Sequence, residues 1–136
     1  MIDRRNAVVL FFVTLFGMGL FVNPGYPHDS GQWEETTPAM REWYRSLKMP
    51  DSPSISCCGE ADAYFAEPRV RDGKTYAVIV DDRPDEPRHR PHVPVGTEIE
   101  IPNHKLKYDA GNPTGHAVIF LGISRGVYCF VQGTGI

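Results

Sequence analysis

The stretch "SCCGEAD", Ser56 to Asp62, constrains this chain most. It sets Cys57 and Cys58 side by side, and the third cysteine is Cys129. Structural zinc sites space paired thiolates two to four residues apart so that both reach one ion. Adjacent cysteines do that poorly, and the sequence holds no second pair. It holds no C-x-x-C redox motif either. A disulfide between neighbours is strained. What remains is a staple from the Cys57–Cys58 pair to Cys129. It would close a loop of about 70 residues, worth on the order of 4 kcal/mol in the chain-entropy model. The expected pairing is Cys58–Cys129, with Cys57–Cys129 as the alternative. The cysteine left over is either buried and inert or available to an outside partner.

A staple presupposes an oxidising compartment, and the N-terminus supplies an address. Arg4 and Arg5 precede an apolar run from Ala7 to Val22. A charged start followed by an apolar stretch is the export pattern. The run is shorter than the roughly 20 residues that span a bilayer comfortably. Residues 1–25 therefore read as a signal peptide, cleaved after Gly25, or as a retained N-terminal anchor. Either way the rest is expected in the periplasm or outside the cell, touching membrane only through residues 7–22. Residues 26–35 read as a linker and 36–136 as one compact, disulfide-linked domain. A domain of that size has an unfavourable surface-to-volume ratio, which a covalent bridge would offset.

The expected fold is α+β and mainly β. "TTPAMREWYRSLKMP" predicts one amphipathic helix: Thr37 as N-cap, Pro38 at the first helical position, and Met40, Trp43 and Leu47 on one face. "PDSPSIS" reads as a loop. Beyond the cysteines the period changes to two. "AYFAEPRVR" and "TYAVIVD" flank Asp72–Gly73, a strong hairpin signal. "TEIEIP" places Ile99 and Ile101 inward and Glu98 and Glu100 outward. "HAVIFLGI" and "VYCFVQG" form a last hairpin around Ser124–Arg125–Gly126, with Cys129 sharing a face with Val127 and Val131. With 12 prolines and 13 glycines punctuating the chain, about five short strands are expected, as a small antiparallel sheet or an SH3-like barrel.

Chemistry is harder to place. A net charge of −3 argues against a broad nucleic-acid surface. No G-x-S-x-G, H-E-x-x-H, P-loop or G-x-G-x-x-G motif occurs. Cys57, Glu60, Asp62 and His116 are the candidates for a Cys/His-dependent enzyme or metal protein. The bland account of Glu60 and Asp62 is that Ser56 caps a short turn whose start favours acidic residues. "DDRPDEPRHRPH" reads as a solvated loop, or as an anion-binding patch, since arginine forks match carboxylates and phosphates. Loops carried on a rigid sheet are where binding sites usually sit. Arg88, Arg90, His92, His104 and His116 are accordingly the candidate binding residues, framed by this loop and the "NHKLKYDAGNPTGH" connection. No cofactor and no metal site are predicted.

Cys57–Cys58, Asp62, "NPTG" at Asn112 to Gly115, and Cys129 in the last strand together resemble an uncharacterised family of small exported bacterial proteins. That resemblance implies export and a compact cysteine-linked domain, not a reaction. The functional expectation is a non-catalytic periplasmic or envelope binding or structural domain, meeting an envelope protein or a small anionic ligand.

Overall fold

A computed structural model describes residues 36–86 and 88–133. The export segment and the linker lie outside the described residues. Among those described, no helix is long and apolar enough to cross a membrane.

The chain opens with α1, Pro38–Ser46. Thr37 caps it as expected: its hydroxyl accepts a hydrogen bond from Met40 N at 3.3 Å. Replacing Thr37 by alanine should cost about 1 kcal/mol of stability in urea unfolding, with the fold unchanged. Trp43 and Leu47 are buried as the helical period predicts, and Tyr44 is buried beside them.

Next come β1, Lys48–Met49, and β2, Ser52–Ser56, which pair as a small separate hairpin. This corrects the expectation of a loop there. Pro53 and three serines hide the strand, but proline is tolerated where no ladder N–H is needed. Then follow β3, Ala63–Arg71; β4, Lys74–Ile79; β5, Glu98–Ile101; β6, Leu106–Tyr108; β7, Ala117–Leu121; and β8, Val127–Gln132. The β3–β4 turn is the predicted one, with Asp72 and Gly73 both at positive φ, 52° and 72°. That is the primed turn whose twist matches the flanking strands.

The six strands form one sheet in the order β5-β4-β3-β7-β8-β6. The expectation of about five antiparallel strands is corrected here, since β6 is a sixth strand and runs parallel to β8. Three residues in a turn-rich connection carry too little alternation to be read. The sheet also cannot be flat. Its outermost strands, β5 and β6, are consecutive and joined only through Pro102–Lys105. A flat six-stranded sheet would set them about 24 Å apart, at about 4.8 Å per strand. Five Cα steps reach about 18 Å even when fully extended, and Asn103–Lys105 is a compact 3₁₀ turn. The sheet therefore curls, bringing its two edges toward each other.

Curling gives the sheet an inside and an outside, and both are apolar. Tyr64, Ala66, Ala77, Ile79, Ile119 and Phe130 fill the inside. Outside, Ala63, Val118, Phe120, Cys129 and Val131 pack under Trp43, Tyr44 and Leu47 of α1. That explains why β7 is buried at all five positions instead of alternating. The predicted shared face of Val127, Cys129 and Val131 fails at one residue. An irregularity pairs Leu121 with Val127 but Phe120 with Cys129, so Val127 joins the inner cluster.

The disulfide joins Cys57, not Cys58, to Cys129, the reverse of the expected pairing. Cys57 lies in the layer between α1 and the sheet, where Cys129 also points. Its N–H donates to Leu47 O at 3.1 Å, which ties it to the end of the helix. Ser56 Oγ accepts from Cys58 N at 3.1 Å, and Cys58 takes a positive φ of 86° in that tight turn. The turn carries the Cys58 side chain elsewhere in the interior. A disulfide sealed in the core fits a non-reducing, extracytoplasmic environment.

Candidate functional site

Asp81 organises the polar part of the molecule. Ala77 and Ile79 point inward from β4, and Asp81 continues their parity just past the strand end. Its side chain is 0 % exposed. A bare carboxylate there would be very costly, and every oxygen is compensated. Asp81 Oδ1 accepts from Arg83 N at 3.1 Å and Arg83 Nε at 2.9 Å. Oδ2 accepts from Arg83 Nη2 at 2.7 Å, Arg90 Nη1 at 2.8 Å and Phe65 N at 3.0 Å. Burial pushes the Asp81 pKa up. The hydrogen bonds from Arg83, Arg90 and the Phe65 N–H outweigh burial and hold the carboxyl well below the usual carboxylate range.

Arg90 is the central pin of the basic loop. Its side chain is 1 % exposed. It donates to Ala63 O at 2.8 Å, Asp85 Oδ1 at 2.9 Å and Arg83 O at 2.9 Å, besides Asp81. Its guanidinium lies 4.6 Å from the centre of the Tyr64 ring. Burial pushes the Tyr64 hydroxyl up to about 12, against the pull of Arg90. The "DDRPDEPRHRPH" stretch is thus no solvated loop at this point; it is fastened to the sheet by a buried guanidinium.

Glu60 meets Arg88 on the α1 side of this network. Arg88 Nε and Nη2 both converge on Glu60 Oε1, at 3.2 and 2.9 Å. Arg83 Nη1 stands 3.8 Å from the same oxygen. Glu60 and Arg88 line a cavity of about 280 Å³ beneath α1, together with Thr36, Met40, Tyr44, Phe65 and Arg83. Burial raises the Tyr44 hydroxyl to about 12, with Arg83 acting in the opposite direction.

Phe65, a wall of this cavity, carries a group on each face of its ring. The Arg83 guanidinium sits 3.6 Å from the ring centre. The His116 imidazole stacks on the same ring, centroids 4.7 Å apart and planes 18° from parallel. Two groups at those distances must occupy opposite faces. His116 lines a second cavity, about 330 Å³, with Tyr108, Asn112 and Gln132 among its other walls. Comparison with protein-family models, with curated proteins and with solved structures finds no match. The resemblance to exported bacterial proteins therefore rests on the quoted motifs alone.

The "NPTG" motif builds the rim of the second cavity. Asn112 Oδ1 accepts from Thr114 N and Oγ1, and Asn112 Nδ2 donates to His116 O at 2.8 Å. This is the side-chain-to-backbone chemistry that lets asparagine hold a turn. One turn earlier, Asp109 Oδ2 accepts from Trp43 Nε1 at 3.0 Å. The helix thereby anchors the connection that carries His116.

Of the five candidate binding residues, Arg88 lines the first cavity and His116 the second. Arg90 is internal, so it is a pin and not a contact. His92 is 74 % exposed and pairs with Asp85 Oδ2 at 2.7 Å. His104 stands 3.9 Å from Asp51, in the β1–β2 turn, which lines neither cavity. Of the candidate catalytic set, Cys57 is spent in the disulfide, Glu60 belongs to the first cavity and His116 to the second. Asp62 is buried in the 3₁₀ turn Glu60–Asp62. Cys58 is buried as well. Among the described residues, no group of three or more His, Cys, Asp or Glu is placed to hold a metal ion.

Sequence reasoning missed Asp81 and Phe65. A signal existed for Asp81: it falls two residues after the inward Ile79. A carboxylate at an inward parity followed closely by arginines marks a buried pair.

Proposed function

We propose that this is an exported bacterial protein whose folded part is a non-catalytic binding domain. Its binding site is the cavity beneath α1, walled by Phe65, together with the one lined by His116. The observation that carries this reading is the Arg83–Phe65–His116 stack. It sits where the basic loop and the "NPTG" connection meet, the two segments a loop-borne site would use. Each cavity combines polar side chains with aromatic ones, Tyr44 and Phe65 in the first and Tyr108 in the second, the usual make-up of small-molecule sites. The carboxylate, thiol and imidazole required by a Cys/His enzyme do not share one cleft, which favours binding over catalysis. The cysteine-linked domain and the export pattern support an extracytoplasmic location.

A fragment screen read by NMR tests this. Small polar molecules should shift the signals of Phe65, Arg83 and His116 together, equally in the parent protein and in a Cys58→Ser variant. Chemical turnover of a fragment, or hits that vanish with the Cys58 thiol, would contradict the reading.

A further inference from the structure

The inner face of the curled sheet runs on past its core. Side chains two apart on a strand share a face. Ala66, Leu106 and Phe130 belong to the inner cluster, so Pro68, Tyr108 and Gln132 continue that face by one further layer. The register sets Tyr108 beside Gln132, as it sets Leu106 beside Phe130. This last layer is open to solvent. Tyr108 is 68 % exposed, and Val70, next after Pro68 on the same face of β3, is 72 % exposed. Exposed apolar residues scattered singly are ordinary, but two at the open end of one concave face call for a reason. Pro68, Tyr108 and Gln132 line the second cavity, with Ala117, which stands beside Ala66 in the ladder. That cavity is therefore the mouth of the curled sheet, and barrel mouths are common ligand sites.

The mouth is held in one shape. Asn112 Nδ2 donates to His116 O at 2.8 Å. A Cβ added to Gly133 would stand 3.2 Å from Asn112 Nδ2 and 3.5 Å from His116 O, so glycine lets the chain after β8 lie against the connection. A preformed site binds at little reorganisation cost. The lining then narrows the ligand. Among the described residues, no Asp, Glu, Lys or Arg lines this cavity. A charged ligand would lose its hydration with no counter-charge to meet it. Pro68, Tyr108 and Ala117 reward apolar surface instead, with the exposed Val70 just beyond. The Gln132 amide and the His116 imidazole can each make a hydrogen bond. At about 330 Å³, the mouth lies at the lower end of the ~300–1,000 Å³ typical of ligand pockets.

We propose that the mouth of the curled sheet binds a small uncharged molecule, mainly apolar and about one ring in size, against Pro68 and Tyr108, with Gln132 or His116 meeting its polar group. This deepens the binding-domain reading and rests on it. The test is an amide NMR titration of the oxidised protein at neutral pH with five probes. Phenol and cyclohexanol are uncharged rings with one hydroxyl. Benzoate and benzylammonium are rings with a negative or a positive charge. D-glucose is uncharged but polar all round.

Phenol or cyclohexanol should shift Val70, Tyr108, His116 and Gln132, and bind several-fold more tightly than benzoate, benzylammonium or D-glucose. Tyr108→Ser should weaken that probe about tenfold, the order of effect of losing one aromatic contact. Gln132→Ala should weaken it several-fold, and it carries the test alone if Tyr108→Ser does not fold. Ile123→Ser is the control: it removes an aliphatic side chain that is 75 % exposed, in the β7–β8 turn, and should leave the affinity unchanged. Equal or tighter binding of a charged probe or of D-glucose overturns the proposal. So does silence from both uncharged rings, or an Ile123→Ser loss as large as that in Tyr108→Ser. Shifts confined to Tyr44, Arg83 and Arg88 also overturn it, while leaving the binding-domain reading in place.

Discussion

Asp81→Asn is expected to destabilise the domain by about 3 kcal/mol, the lower end of the range for breaking a buried ion pair. Asparagine keeps the shape but removes the charge that faces Arg90, whose side chain is 1 % exposed. Arg90 would retain Asp85, which is partly open to water, and this is why the lower end applies. Urea unfolding followed by tryptophan fluorescence measures the loss. A double-mutant cycle isolates the pair: Arg90→Met should cost less in the Asp81→Asn background than in the parent.

The same residue sets an acid limit. The folded pKa of Asp81 lies below its unfolded value of about 3.9. Its contribution is therefore fully present above about pH 4 and is lost as pH falls from there toward the folded pKa. Parent stability should decline below pH 4, and the Asp81→Asn variant should decline less steeply over that range.

Removing the disulfide should have an effect of similar size. Cys57 and Cys129 stand 72 residues apart in sequence, and closing such a loop restricts the unfolded chain by about 4 kcal/mol. Small domains hold about 5–15 kcal/mol in total. A Cys57→Ser/Cys129→Ser double variant should therefore be marginal at 37 °C. Cys58→Ser should leave the bridge in place, and non-reducing peptide mapping should still return the Cys57–Cys129 pair. Both bridged cysteines are fully buried. Mild reductant should leave the bond intact until denaturant opens the core.

Local patterning made much of the fold legible. The Thr37 cap, the Trp43–Leu47 face, the Asp72–Gly73 hairpin and the inward isoleucines of β5 all follow from neighbours in sequence. The β1–β2 hairpin, the β6 strand and the Val127 irregularity were not legible. They are fixed by partners far along the chain, and their own residues carry weak signals. The choice between Cys57 and Cys58 goes with the local geometry of the Ser56 turn, where Cys58 takes a positive φ and Cys57 is tied to Leu47 O, and composition does not encode that. The residues of the proposed site differ in how visible they are in sequence. Arg88 and His116 stood out in the sequence because arginines and histidines in loops are conspicuous. Phe65 did not, because a phenylalanine in a strand reads as core. Arg90 looked like a surface residue until the parity of Asp81 supplied its buried partner.

Arg90 pins the basic loop that carries Arg83 and Arg88 into the proposed site. Proton exchange at arginine side chains measures that directly. In ¹⁵N-labelled protein near pH 6, the Arg90 Nε–H should persist and exchange far more slowly than that of Arg45, which lies on an exposed stretch of α1. In Asp81→Asn this protection should shrink. An Arg90 signal that exchanges as fast as Arg45 in the parent protein would contradict the account, because the loop would then be solvated and the wall beside Phe65 would not exist.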